Sequence, residues 1–383
     1  MTETDPRGFT PELELALTAA AEQAAASAAD VDRGARLPTE ALQVLRDTNL
    51  MAAIAPREFG GLGLGLPALV RIAERLARSC GSSAMIWAMH QAQLACLVRH
   101  HRESPLLRKA VAERWLIASV TSERGVGGDL RSSLSSLADG PDGRQTLEKD
   151  GTTVSYGAGA DAYLVTARRT ADADTGNQVA VLVTRDQVEL EQQGEWDVLG
   201  MRGTCSPAFR IRAAFQRDQI LPVPFRTVAA ETMVPVSHLL WAGVWSGLAA
   251  ESVHRAVRSV RGRAPADPTA AVPELARAHL RLTAMRAQLD AAVRAVEPVF
   301  DAGREPTLGL GAQLNALKIS VSEGAVETAH LALQVCGMAG FAERGPYSVA
   351  RILRDAYSAP LMIGNGRLLA ANARTVLLSR GER

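Results

Sequence analysis

The sequence predicts a mostly helical α+β chain in which a β block sits between two helical regions. Hydrophobic residues follow a helical period from about residue 10 to 113, approach a period of two from about 114 to 221, and return to the helical period from about 228 onward. Strands and helices do not alternate, which excludes a doubly wound parallel sheet. A chain of 383 residues, 47% of them hydrophobic, is large enough for an extensive core or for two or three packed subdomains. The expected division is an N-terminal helical domain over 1–113, a central β domain over 114–221 and a C-terminal helical bundle over 222–383.

In the first region LPTEALQVLRDTNL (37–50) places Pro38 at a first helical turn, with apolar residues at 42, 44, 45 and 50. The glycines of REFGGLGLGLPALV (57–70) interrupt the pattern. GSSAMIWAMHQAQLACLVRHH (81–101) is apolar nearly all round, as a buried helix is. In the second region WLIASVT (115–121), AYLVTAR (162–168), QVAVLVT (178–184) and AFRIRAAF (208–215) read as strands, and ADGPDGRQ (138–145) reads as a turn. In the third, long helices fit 236–262, 270–302 and 308–337, rich in Ala, Leu, Arg and Glu, with RAPADPTAAVPE (263–274) breaking the first two; a final helical pair covers about 346–380.

Composition narrows the partners. With 42 basic and 41 acidic residues the net charge is +1, so nothing points to a nucleic-acid or anionic-membrane surface. No run approaches about 20 uninterrupted apolar residues. The start MTETDPRGFTPELELAL has neither a basic n-region nor an apolar h-region, and a soluble cytoplasmic protein is the expectation. Cys80, Cys96, Cys205 and Cys336 are scattered without a CxxC pair, against a zinc site or a disulfide framework.

Four stretches carry the functional signal: EFGGLG (58–63), VTSERGVGGDLRSS (120–133), WDVLGMRGTCSPAFRI (196–211) and QVCGMAGFAERGPYSVARILRD (334–355). In this order and spacing they resemble the acyl-CoA dehydrogenase family of flavoproteins. That resemblance implies a helical N-terminal domain, a β-barrel-like central domain, a C-terminal four-helix bundle and FAD as cofactor. Thr121 and Ser122 then lie at the strand end that meets the flavin, with Gly128 at the position of the family's serine and Asp129 at its aspartate. A strand-end hydroxyl and glycine-rich backbone suit the flavin edge and its phosphates. Ser155, in VSYGAGADAYLV, takes a hydroxyl position beside the ring, while Thr153 replaces an aromatic residue. Gln334, Gly337 and Gly340 match the turn that contacts the adenosine half of FAD across a subunit interface, where Met338 replaces a glycine. Arg261 stands at the position of an arginine for the pyrophosphate, and Ala264 replaces the phenylalanine expected after it. The resemblance further implies an acyl-CoA or acyl-carrier-protein substrate, an electron-accepting flavoprotein or oxygen, and a homodimer or homotetramer.

The family reaction removes an acyl-thioester α-proton with a carboxylate while a hydride leaves for the flavin, so a positioned base is indispensable. Counting from Arg354-Asp355 places Ile363 where most members carry that glutamate, and no Asp or Glu occurs from Ala356 to Arg367. The alternative position, on the first long bundle helix, falls on Ser237. Three readings follow. His90 could be a substitute base, or a packed helix histidine; His238, Tyr357 and Glu251 are further candidates. The chemistry could need no carbon base, as in a flavin-dependent monooxygenase or oxidase of the same fold. Or the chain could be a non-catalytic partner subunit of a hetero-oligomeric dehydrogenase.

Overall fold

The computed structural model describes residues 9–262 and 272–378. The N-terminal region folds as α1 (Pro11–Gly34), α2 (Thr39–Asp47), α3 (Leu66–Ser79), α4 (Gly81–His100) and α5 (Pro105–Ala112). Thr10 caps α1 by accepting the Leu13 N–H at 3.2 Å, and Pro11 and Pro105 occupy first turns where no amide donor is needed. Pro38 is the cap residue immediately before α2. The α4 helix is buried on almost every face, as its unbroken apolar composition requires.

Among the described residues seven strands form where four were expected. Strands β1 (Ile117–Val120), β2 (Leu137–Asp139), β3 (Gln145–Gly151), β4 (Ala162–Arg168), β5 (Gln178–Thr184), β6 (Val188–Gln193) and β7 (Ala208–Phe215) build two sheets, ordered β1-β4-β5 and β2-β3-β7-β6. The β1–β4 pair is parallel and every other pair is antiparallel. An isolated parallel bridge between Ser136 and Arg168 joins the residue before β2 to the end of β4. The expected turn over 138–145 is shorter in the structure, because Ala138, Asp139 and Gln145 pair as strand.

The C-terminal region starts with α6 (Phe225–Val228), which runs through a π-turn (Ala229–Met233) into α7 (Val234–Arg261). Then come α8 (Pro273–Asp301), α9 (Leu308–Cys336), the short α10 (Met338–Phe341), α11 (Ala350–Ala356) and α12 (Asn365–Leu378). Thr307 caps α9 through the Leu310 N–H at 3.2 Å. Gly243 and Gly247 put one face of α7 directly on α3: a Cβ at Gly247 would lie 2.3 Å from the Glu74 carbonyl oxygen. The stretch Phe225–Arg261 is long and apolar enough to cross a membrane, yet 94% of its most apolar window is buried, so it packs as a core helix.

Candidate active site

Two of the four motifs, 196–211 and 334–355, meet at one seam between the β sheets and the helices. Gly200 approaches the α11 backbone so closely that a Cβ there would lie 2.1 Å from the Arg354 carbonyl oxygen. The next residue, Met201, donates its N–H to Asp355 Oδ1 at 2.6 Å. Asp355 is buried, and that burial raises its pKa to about 6. Arg354 pairs with Asp32 at the end of α1 (Nη1 to Oδ1, 3.0 Å) and donates to the Leu199 carbonyl at 3.1 Å. The Arg-Asp pair is therefore a clamp that ties α1, the 196–206 segment and α11 together.

Next to the clamp runs a chain of hydroxyls. Thr204 Oγ1 lies 2.8 Å from Ser206 Oγ, which donates to Ser155 Oγ at 2.9 Å. Ser122 Oγ bonds the Thr153 carbonyl at 3.0 Å and accepts the Thr153 N–H at 3.2 Å. Thr121, half-buried, sits 3.4 Å from Ser119 through its hydroxyl. Ser122 thus meets the backbone two residues before Ser155, while Thr121 bonds back to its own strand. Beyond Ser122 the loop carries Gly125, Gly127 and Gly128 at φ of 93°, 58° and 75°, backbone that glycine alone adopts freely. Arg367, in the first turn of α12, donates to the carbonyls of Gly127 and Gly128.

A buried ion pair holds this loop from below. Glu123 accepts hydrogen bonds from Ser133 Oγ (2.7 Å), Leu134 N (3.1 Å), Ser135 N (2.7 Å) and Ser135 Oγ (2.6 Å), and pairs with Lys149 Nζ at 3.2 Å. Burial alone would raise its pKa, but Lys149 and the serine donors together hold it below the usual carboxylate range.

The turn that would carry the base is built around Ile363, at φ 47°, with its side chain against the core. Left-handed backbone is unfavourable for a β-branched residue. Beneath it Lys318 of α9, fully buried, donates to the carbonyls of Ala359 (3.2 Å) and Ile363 (3.3 Å) and to Asn365 Oδ1 (2.7 Å). Asn365 in turn donates to Ser322 Oγ (3.1 Å) and Glu323 Oε1 (3.0 Å). Burial lowers the Lys318 pKa to about 8. The turn thus rests on a buried ammonium, and the position counted for the glutamate is filled by the apolar Ile363.

The substitute bases fare unequally. His90 Nε2 lies 2.7 Å from the Met51 carbonyl and its Nδ1 accepts the Ile117 N–H at 3.1 Å. Burial pushes its pKa down to about 4. Neither nitrogen is left for a substrate proton, so the geometry corrects the base reading and supports the packed one. His90→Ala is expected to destabilise the fold by about 2–4 kcal/mol in a urea titration, since it strands two backbone groups and opens a cavity. Glu251 is engaged by Arg255 at 2.9 Å, and Tyr357 is 44% exposed at the surface. His238 is buried with neither ring nitrogen in a well-formed hydrogen bond, although the Leu314 carbonyl lies near.

At the far corner Gln334 and Gly337 are exposed, Gln334 lies 3.3 Å from His330, and Gly340 is buried so tightly that a Cβ would lie 2.5 Å from that of Cys336. Arg261 is the exposed last residue of α7. Ala264 lies outside the described residues.

Comparison with known proteins follows this layout. The description "Acyl-CoA dehydrogenase, N-terminal domain" matches residues 13–119, and "Acyl-CoA dehydrogenase, C-terminal domain" matches residues 229–374. The chain belongs to the acyl-CoA dehydrogenase family. Within that family it is 28% identical to a probable acyl-CoA dehydrogenase of Mycobacterium leprae, over 93% of this chain and 92% of that one. It is 30% identical to the L-evernosamine nitrososynthase of a Micromonospora species over 277 residues, 70% of this chain and 66% of the relative. The solved structure of KijD3 with FMN and dTDP-3-amino-2,3,6-trideoxy-4-keto-3-methyl-D-glucose has the same fold: TM-score 0.80, 23% identity, 98% of this chain and 96% of that one.

Gln334, Gly337 and Gly340 could be named from the sequence as parts of a motif. Asp32, Glu123, Lys149 and Lys318 could not. One signal for Lys318 was present: it falls on the apolar stripe Leu314, Leu317, Val321, Ala325 of α9, where a charge must be buried.

Proposed function

We propose that this chain is a flavin-dependent oxidoreductase that oxygenates a nucleophilic heteroatom of a small substrate, using reduced flavin and oxygen. The observation that carries this reading is the Ile363 turn, with no carboxylate from Ala356 to Arg367 and the Lys318 ammonium under it. Removing a thioester α-proton needs a base, and His90 is locked in backbone hydrogen bonds. A neutral amine or sulfide offers a lone pair and needs no carbon deprotonation. The nitrososynthase relative, named for nitrogen oxidation, supports the same class.

The residues present fit a flavin. Thr121, Ser122 and Ser155 offer hydroxyls, and the Gly125–Gly128 loop faces Arg367 and the start of α12, a setting suited to phosphate. When bound and reduced, the flavin supplies two electrons to dioxygen, so that one oxygen atom enters the substrate and the other leaves as water. FAD is the form that the family resemblance implies, and the exposed Gln334–Gly337 corner would reach it from a neighbouring subunit, which makes the enzyme at least a dimer. Chromatography of the released flavin distinguishes FAD from the FMN carried by KijD3. The enzyme is proposed to work as a soluble cytoplasmic protein.

The test supplies chemically reduced flavin, ¹⁸O₂ and an amino-sugar nucleotide, and reads ¹⁸O in the product by mass spectrometry. Anaerobic bleaching of the wild-type flavin by butyryl-CoA would instead establish the dehydrogenase reading, which the near full-length match to the M. leprae protein favours. On the oxygenase reading Ile363→Glu adds a carboxylate in this half-buried turn, and it is this variant that is expected to gain bleaching by butyryl-CoA.

A further inference from the structure

Five of the twelve buried side-chain N and O atoms without a hydrogen-bond partner among the described residues lie on α7. They are both nitrogens of His238, Nε1 of Trp241, Nε1 of Trp245 and Oγ of Ser246. Each such atom costs about 1–3 kcal/mol when nothing satisfies it, so this cluster calls for partners beyond the Leu314 carbonyl near His238, which buried water or a ligand can supply. The spacing 238, 241, 245 puts three of these rings on one helix face. His238 and Trp241 have centroids 6.1 Å apart, and Trp241 and Trp245 6.3 Å. That stripe turns away from the α3 side, where Gly243 and Gly247 pack, and towards α9, with Lys318 Nζ 5.6 Å from the Trp245 ring.

We infer that His238, Trp241 and Trp245 form the recognition wall of the substrate site, and that the substrate is a neutral, acceptor-rich ring such as a keto-substituted sugar. Indole N–H groups only donate, so they call for oxygen acceptors. Aromatic faces suit the C–H surface of a ring. Lys318 disfavours a cation, and the same charge, added to burial, keeps His238 neutral with its pKa pushed down to about 4. A nucleophilic amine on that ring would therefore be bound with its lone pair free. This inference rests on the oxygenase reading for its place in the reaction, but its test uses neither flavin turnover nor oxygen.

The probe is dTDP-3-amino-2,3,6-trideoxy-4-keto-3-methyl-D-glucose, compared with dTDP alone by calorimetric titration of the purified protein. The wild type is expected to bind the sugar nucleotide at least 10-fold more tightly than dTDP. Trp241→Phe and Trp245→Phe are expected to abolish that preference and leave dTDP binding unchanged. Without ligand, both variants are expected to melt at or above the wild-type temperature, since each loses an unsatisfied donor. A wild type that binds neither compound, or binds both equally, overturns the inference. So do variants that melt several degrees lower and keep the preference, because those indoles would then be ordinary core residues. Failure of ¹⁸O incorporation with the sugar preference intact would count against the oxygenase reading alone.

Discussion

Glu123→Ala should lower the unfolding free energy by about 3–5 kcal/mol, because it leaves the Lys149 ammonium buried with only part of its partners. Lys149 would keep the Thr166 carbonyl at 2.7 Å and the Thr166 hydroxyl at 3.0 Å, while Ser135 loses its acceptor and Ser133 keeps only the Ser135 carbonyl at 3.3 Å. The Gly125–Gly128 loop above would loosen, and flavin affinity should fall with it. Urea unfolding checks the first effect and fluorescence titration with flavin the second. The double variant Glu123→Leu/Lys149→Met should recover most of the stability, since neither charge remains. Single variants within about 0.5 kcal/mol of wild type, the usual range for surface changes, would count against a buried pair. The pH sign follows from the lowered Glu123 pKa. Its stabilising contribution is present above the unfolded value of about 4.3 and is lost as pH falls through the lower folded value.

Lys318→Met should cost about 3 kcal/mol, because the carbonyls of Ala359 and Ile363 and the Asn365 side chain lose one shared donor. Amides of 359–365 should exchange with deuterium faster, while those in the middle of α8 should not change. Lys318→Arg should restore only part of the protection, since a planar fork does not reproduce three convergent ammonium bonds. With the folded Lys318 pKa near 8, the unfolded chain holds more protons than the folded one between there and about 10.4. Over that window the lysine's contribution grows with pH, so the gap between wild type and Lys318→Met should widen from pH 8 to 10 and stay flat below 8.

The long helices and the four apolar strands were legible because their faces are consistently apolar. Strand β3 was not, because its inward positions are Gln145, Leu147, Lys149 and Gly151, and two of those four are polar. The buried ion pair therefore hid both itself and the strand that carries it. Strand β6 buries only Val188 and has no apolar alternation to read. At the site, the motif glycines and the Arg-Asp pair were visible as a pattern, but the partner Asp32 lies 322 residues from Arg354 and no local signal joins them. The missing carboxylate was legible from spacing alone. The ammonium that underlies its turn needed the packing of α9 against that turn.

The contact between Asp32 and Arg354 also orders events during synthesis. Helix α1 leaves the ribosome long before α11, and its acidic end finds its arginine only when residue 354 has emerged. Contacts of such long separation form slowly, after loop-closure entropy has been spent. Until then the α1 end lacks its guanidinium partner, and the Gly200 and Met201 backbone lacks the α11 surface that it fits. Chains cut short before Arg354 should therefore be recognisable to chaperones by this unsealed seam even when their helices have formed.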